Sequence, residues 1–358
     1  MPTAPITVRA WRVEQEVTMR ALIVTGPGQF SIQDMPLPVP GPYDALVKID
    51  ACAICTATDT HIMMGNFPWL NPYPFVLGHE STGIVEEIGV KVRRFAVGQR
   101  VTRPAAVLPG TTLHGISSNW GGYAEYGLVR DTQSAGLDGV ASDGMLSISR
   151  VSLPDGVDPV SAALSINQRE ILSVVRRIPL DARSRVAVIG SGYNGLLFSL
   201  FCKHFGAGKV VMAGASRLTD RAQNSFQADA LVDYRSPQAA EQICQALGGL
   251  PTHVIDAVGS VGSLSLAEEL LAEGAAFGCY GLNDFPVTTD QRNALGKQTI
   301  PLDMGTDEPG TVSEWRHLWL QGFFDRPGIY DYSMPFEQAS AAFAALSRRE
   351  AVKIVLEV

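Results

Sequence analysis

The stretch RVAVIGSGYNG, Arg185 to Gly195, decides how the middle of this chain folds. Arg185 to Ile189 is a short apolar run, the kind of strand that is buried on both faces of a parallel sheet. Gly190, Ser191, Gly192, Tyr193, Asn194 and Gly195 follow it as a GxGxxG, and a helical stretch, Leu196 to Phe205, opens directly behind. Glycines at this spacing arise often, but between a strand and a helix they carry a physical meaning. Gly190 permits the tight turn, Gly192 lets the backbone approach a pyrophosphate, and Gly195 lets helix and strand pack closely. Tyr193 and Asn194 complete the turn, and the unpaired N–H groups of the helix start face the phosphate charge. The alternative is a strand–helix turn with no ligand.

Further along, the alternation continues. Lys209 to Ala213, Ala230 to Tyr234, His253 to Asp256 and Ala275 to Tyr280 read as strands, and Thr219 to Phe226 as a helix. That succession predicts a doubly wound parallel sheet. The end of its second strand separates two cofactors. An NAD site usually carries an acid there, bonded to the ribose 2′-hydroxyl. This chain has Gly214 in that place, which removes repulsion against a 2′-phosphate, while Ser216 offers a hydroxyl and Arg217 a planar cation. NADP(H) is the expected cofactor; the alternative makes Arg217 a solvated surface residue and NAD the cofactor. Val258 and Gly281, just beyond two later strands, join the expected cofactor residues.

On the N-terminal side the pattern differs. From Met19 to about Gly156, short apolar runs are broken by turn residues, with strands expected at Arg20 to Val24, Ala45 to Ile49, Gly83 to Ile88 and Ala124 to Val129. This is an all-β region. The last fifty residues hold a helix near Phe336 to Leu346 and a strand, Ala351 to Leu356, expected to return to it. Residues 1–18 read as an N-terminal extension, a tail or an added edge strand. Thr132 to Ser147, rich in Gly, Ser and Asp, reads as an inserted surface loop.

The whole chain has 358 residues, 46% hydrophobic and 18% charged, with net charge −8. That length allows two ordinary domains. An acidic chain without a basic run is a poor nucleic-acid or membrane-surface binder, and no apolar run is long enough to span a bilayer. No export signal is apparent, so a cytoplasmic protein is expected. The five cysteines, Cys52, Cys55, Cys202, Cys244 and Cys279, are too sparse and odd in number for a disulfide framework. Cys52 and Cys55 form a CxxC without the βα context of a redox motif, and Cys52 reads as a buried strand residue.

Three features of the β region belong together: Cys55; Thr58, Asp59 and His61; and Gly78, His79 and Glu80, followed by Gly83. A thiolate and an imidazole suit zinc, and a catalytic zinc takes three protein ligands and one open position. Together with Gly122 to Tyr126 and Lys353 to Val358, these residues resemble the zinc-dependent medium-chain alcohol and polyol dehydrogenases over nearly the whole chain from Met19. The resemblance implies a GroES-like β-barrel catalytic domain, residues 19–160 and 306–358, and a Rossmann NADP-binding domain, residues 161–305. It implies Cys55 and His79 as zinc ligands, Glu80 beside the metal, Asp59 orienting His79, and Thr58 and His61 passing the alcohol proton outward. It also implies a homodimer or homotetramer and a small alcohol or carbonyl substrate, with a polyol, sugar or similar secondary alcohol favoured.

The chain departs from that pattern in three places. The usual spacing from the cysteine to the Asp is one residue shorter, which loosens the assignment of Thr58. No cysteine occurs from Arg103 to Trp120, so one catalytic zinc and no structural zinc are expected. The family's third ligand falls on Ile166, which binds no metal. Glu170, one turn on along the same helix face, is the suggested replacement, with Glu80 as the other option; otherwise Glu170 is an exposed helix residue and the site binds zinc weakly or not at all. The aromatic run Phe67 to Phe75 and Trp120 read either as a pocket wall or as packing of a proline-rich loop. Two rival functions stay open: a zinc-free reductase of an activated double bond or quinone, and a catalytically silent NADP-binding protein.

Overall fold

The computed structural model describes residues 17–67, 70–140, 151–284 and 288–358. Residues 1–16 of the expected extension, Pro68 and Trp69 of the aromatic run, and residues 141–147 of the expected surface loop lie outside them.

Strand β1 (Thr18–Gly26) folds back antiparallel on β2 (Gln29–Pro36). Strand β3 (Asp44–Ala53) leads through Ile54 and Cys55 into helix α1 (Thr56–Met63). The chain continues through β4 (Phe75–Val76), β5 (Glu80–Ile88), β6 (Arg100–Thr102), β7 (Ser117–Ser118) and β8 (Tyr126–Arg130). One sheet has the order β2-β1-β4-β7. The other is built on β3, which pairs antiparallel with β5 and β8, and β5 carries β6 on its far side. The core between these sheets includes Leu22, Val24, Ile54, Phe75 and Leu77, all buried.

The expected surface loop begins instead as a helix, α2 (Thr132–Leu137). The local reason is Asp131. Its carboxylate accepts from Ser134 N at 2.9 Å and from the backbone N–H groups of Arg93 and Arg94 at 2.8 and 2.9 Å. A side chain that satisfies N-terminal helix donors in this way starts a helix that composition alone does not announce.

The long helix α3 (Pro159–Val175) is capped by Asp158, which accepts from Ser161 N, and starts with a proline at the position where proline fits best. It is buried along nearly its whole length, packed against α4 (Tyr193–His204), β3 and β5. Its polar run, Asn167, Gln168 and Arg169, is buried with it and must find partners inside the protein.

From β9 (Arg185–Ile189) the chain winds through α4, β10 (Lys209–Gly214), β11 (Ala230–Asp233), α5 (Ala239–Leu247), β12 (His253–Asp256), α6 (Val261–Leu270), β13 (Ala276–Cys279), α7 (Thr289–Gln298) and β14 (Ile300–Pro301). The six strands pair in parallel in the order β11-β10-β9-β12-β13-β14. That order reverses direction at β9, so a crevice opens beside its carboxyl end, where ligands of such sheets bind. The helix expected at Thr219 to Phe226 is not a regular one. A 3₁₀ turn, Ser216–Leu218, and a π-helical turn, Arg221–Ser225, take its place.

Helix α8 (Val312–Leu320) buries Trp315, and the chain then returns through β15 (Tyr332–Pro335), α9 (Ala339–Ser347) and β16 (Ile354–Glu357). Strand β16 adds antiparallel to β3, so the C-terminal segment completes the sheet that carries the candidate metal ligands. No helix among the described residues is long and apolar enough to cross a membrane.

Candidate active site

The end of β3 and the start of β5 meet at one place. Cys55 follows β3 and stands at the N-terminus of α1, Glu80 is the first residue of β5, and His79 precedes it. Gly78 allows this approach. Its φ is +103°, and a side chain there would meet the ring and backbone of Tyr123 at 2.8 Å. Ligand atoms of Cys55, His79 and Glu80 lie within 4.8 Å of one another, the only such group of three among the described residues.

Asp59 organises the group. It is wholly buried on α1 and accepts from His79 Nδ1 at 3.0 Å, from Cys55 N at 3.0 Å and from Tyr123 Oη at 2.5 Å. With Nδ1 carrying the proton, Nε2 is left to face Glu80 Oε1, 3.7 Å away. Burial alone would push the His79 imidazole down. The charge and hydrogen bond of Asp59, with Cys55 adding to them, reverse this and hold it well above the ordinary histidine range. Burial, then the Asp59 charge, pushes the Cys52 thiol up. Cys52 is a buried residue of β3, held in the neutral form.

Glu80 has no exposed surface. Its Oε2 is paired with Lys353 Nζ, while Oε1 is buried without a hydrogen-bond partner. An orphaned carboxylate oxygen beside a thiol and an imidazole nitrogen is the donor set of a divalent zinc site, and the residues fit that metal. Glu170 is placed elsewhere. Its Oε1 accepts from Arg103 Nη2 at 2.6 Å, and its Oε2 from Tyr280 Oη and Asn167 Nδ2, each at 3.3 Å. Its carboxylate is thus committed to a polar cluster, and it is not part of the group of three. Ile166 is fully buried beside it on α3.

Thr58 and His61 lie one turn apart on α1, both half-buried. Trp120 holds a left-handed backbone, φ +70°, with its ring centroid 5.4 Å from that of His79 and 6.0 Å from that of Phe67. Arg103 also has a left-handed backbone, φ +57°, and donates from Nη1 to the backbone carbonyl of His79 at 2.6 Å.

At the glycine turn, Gly190 has φ +112°, and a side chain there would strike Val258 at 2.7 Å. A side chain on Gly195 would strike Gly190 O at 2.1 Å, whereas Gly192 faces open space. Gly192 caps α4 without a side-chain hydrogen bond, so no capping side chain occupies the first N–H groups of α4. Gly281 lies against Val258 across the ends of β12 and β13. Gly214 is more than a missing acid. A Cβ there would lie 2.4 Å from Ser191 Cβ, and Ser191 Oγ accepts from Ala215 N at 3.0 Å. Ser216 and Arg217 are exposed on the turn that follows.

The sequence assigns several of these residues no role in the site. Lys353, Asn167, Arg103 and the phenol of Tyr123 reach the site from far along the chain. The one available signal was the polar run Asn167 to Glu170 inside an otherwise apolar helix.

Residues 41–138 match the family described as alcohol dehydrogenase GroES-like domain. A probable zinc-binding alcohol dehydrogenase of Mycobacterium tuberculosis is 28% identical over 347 residues, covering 92% of this chain and 86% of that one. An L-galactonate-5-dehydrogenase of Escherichia coli is 25% identical, covering 95% and 99%. Among solved structures, a putative zinc-binding dehydrogenase from Sinorhizobium meliloti bound to NADP superposes with TM-score 0.76 at 24% identity, covering 96% of this chain and all of that one, 100%. Benzyl alcohol dehydrogenase from Acinetobacter calcoaceticus gives 0.78 at 18%, covering 96% and 99%. These similarities support the medium-chain dehydrogenase/reductase superfamily, and the fold is a GroES-like β domain joined to a Rossmann sheet.

Proposed function

We propose that this chain is a zinc- and NADP(H)-dependent dehydrogenase that interconverts a secondary alcohol, polyol or sugar-like substrate and its carbonyl. The observation that carries the reading is the buried Glu80 Oε1, which has no hydrogen-bond partner and lies beside Cys55 and His79. The names of the relatives, among them a sorbitol dehydrogenase of Halalkalibacterium halodurans, support an alcohol or polyol as substrate. The NADP bound by the Sinorhizobium protein supports the cofactor.

When bound, zinc supplies Lewis acidity at the substrate oxygen and NADP(H) gives or takes the hydride. The chain's own residues do the rest. Cys55, His79 and Glu80 hold the metal, and Asp59 keeps His79 in the tautomer that offers Nε2. Thr58 Oγ1 takes the alcohol proton and His61 carries it outward along α1. Gly192 and the start of α4 receive the pyrophosphate, and Ser216 and Arg217 the 2′-phosphate. Phe67 and Trp120 wall the substrate beside His79 and exclude water. Assembly as a homodimer or homotetramer would use the exposed edge strand β14.

Zinc per chain, measured by elemental analysis, tests the reading. About one zinc per chain is expected in the wild type, lost in Glu80→Ala and kept in Glu170→Ala. A wild type without zinc, and with none taken up on reconstitution, would sink the proposal in favour of a zinc-free reductase or a silent binding protein.

A further inference from the structure

Lys353 is a lysine with almost no exposed surface, 2%. A buried ammonium needs its charge matched and its donors used. Its Nζ meets Glu80 Oε2 on β5, donates to Asn167 Oδ1 on α3 at 2.6 Å, and lies 4.9 Å from the centre of the Tyr193 ring at the start of α4. The backbone that carries it is pinned as well. Lys353 N donates to Asp331 Oδ2 at 2.8 Å, and Asp331 N returns a bond to Lys353 O at 2.9 Å. Asp331 Oδ1 is held in turn by Arg221 Nη1 at 2.8 Å.

A carboxylate can give a metal one oxygen or two. A catalytic zinc works only while one of its four positions stays open. With Cys55 and His79 in place, a second oxygen from Glu80 would fill the position that a substrate needs. In this structure the two Glu80 oxygens have been sorted. Oε2 is taken by the ammonium, and Oε1 faces Cys55 and His79 with no hydrogen-bond partner. The sorting follows from where Lys353 is fixed, because Asn167 and the Tyr193 ring leave its Nζ little freedom to follow Glu80.

We infer that Lys353 is a positioning residue that restricts Glu80 to one-oxygen coordination and so keeps the fourth metal position open to an oxygen or anionic ligand. The inference rests on the reading of Cys55, His79 and Glu80 as the zinc ligands. It concerns the Glu80 oxygen held by Lys353, not the one that faces Cys55 and His79.

Cobalt substitution reads the coordination number directly. The wild type, Lys353→Met, Lys353→Arg and Asn167→Leu would each be loaded with Co2+, their d–d absorption recorded, and azide titrated as a probe of the open position. The wild type should show four-coordinate absorption and bind azide. In Lys353→Met the Co2+ should be retained, the absorption should weaken towards a five-coordinate pattern, and azide affinity should fall roughly 10–100-fold, the usual scale for a residue that orients a metal ligand. Lys353→Arg should restore azide affinity to within about threefold of wild type, since the second cation can hold Oε2. Asn167→Leu keeps the Lys353–Glu80 pair but loosens it, and should give the same change in weaker form; it decides the matter if Lys353→Met fails to fold. Wild-type absorption and azide binding in Lys353→Met, or in Asn167→Leu where that variant stands in, would overturn the role of Lys353 while leaving the zinc site intact. A wild type that takes up no Co2+ would remove the zinc reading itself, and this inference with it.

Discussion

Asp59 is a single side chain on which three separate hydrogen bonds converge, from His79, from the Cys55 backbone and from Tyr123. It is the residue whose conservative change should report most on the metal. In the metal-free protein the raised His79 imidazole forms a protonated pair with Asp59. A histidine raised in this way stabilises the folded chain fully below its ordinary pKa, and that contribution is lost as pH rises through the raised one. Zinc needs the neutral ring, so metal uptake competes with this proton. Apparent zinc affinity of the wild type should therefore keep rising with pH past the ordinary histidine range. Asp59→Asn should lower the midpoint of that rise and weaken zinc binding roughly 10–100-fold at high pH. Competition against a chromogenic chelator across a pH series measures both; an unchanged profile in Asp59→Asn would show that the carboxylate does not set the ring's proton.

At the scale of elements, the glycine turn was readable because all its parts are contiguous. A β strand, three glycines and a helix start occur within Arg185 to His204, and each has a local cause. The boundaries of β9, β10 and β12 follow from apolar runs in the same way. The helix expected after β10 was less readable. Its pattern is apolar at the right spacing, yet the chain there spends its residues on a 3₁₀ and a π turn around Arg221, whose guanidinium reaches Asp331. The surroundings of Glu170 are unreadable for a related reason. It stands one turn from Ile166 on the helix, but Arg103 and Tyr280 arrive from elsewhere in the chain and, with Asn167 of the same helix, take both of its oxygens. Lys353 and Glu80 stand 273 positions apart in sequence, and no local pattern links them. The glycine turn also carries a prediction. Gly214→Asp would place a Cβ 2.4 Å from Ser191 Cβ. It should lose NADP binding about tenfold or more and gain no NAD binding, because the turn must shift before the new acid can reach a ribose. Isothermal titration with both cofactors checks this, and tight NAD binding by the single variant would refute it.

Across the whole molecule, a buried cluster ties the part of the β domain that carries the candidate metal ligands to the chain leaving β14. Arg103 donates to the His79 carbonyl and pairs with both Glu170 and Glu308, at 2.6 and 2.8 Å, and Arg169 approaches Glu308 Oε2 at 3.6 Å. Burial lowers and the Glu308 and Glu170 charges raise the Arg103 pKa, with the charges winning, so this arginine stays charged. Removing it would take from Glu308, which is buried, and Glu170, which is partly buried, their nearest cation. Arg103→Met should cost about 3–5 kcal/mol of stability, the scale for breaking a buried pair from one side. Replacing Arg103 and Glu308 together, as Arg103→Met with Glu308→Leu, should cost less than the sum of the two single changes. Denaturation midpoints on metal-loaded protein would show this, and simple additivity would mean the cluster is not a coupled unit.

The contact between Gly214 and Ser191 reaches beyond any one variant. An acid at position 214 is tolerated only after position 191 has given way, and a smaller residue at 191 removes the hydroxyl that accepts from Ala215 N. The close contact is with the Cβ of Ser191, so only glycine at 191 would clear it, and a side chain at 214 together with glycine at 191 is the pair that a ribose without a 2′-phosphate would require. Cofactor preference would thus rest on two coupled positions, 214 and 191, and would be hard to reverse by a single engineered step.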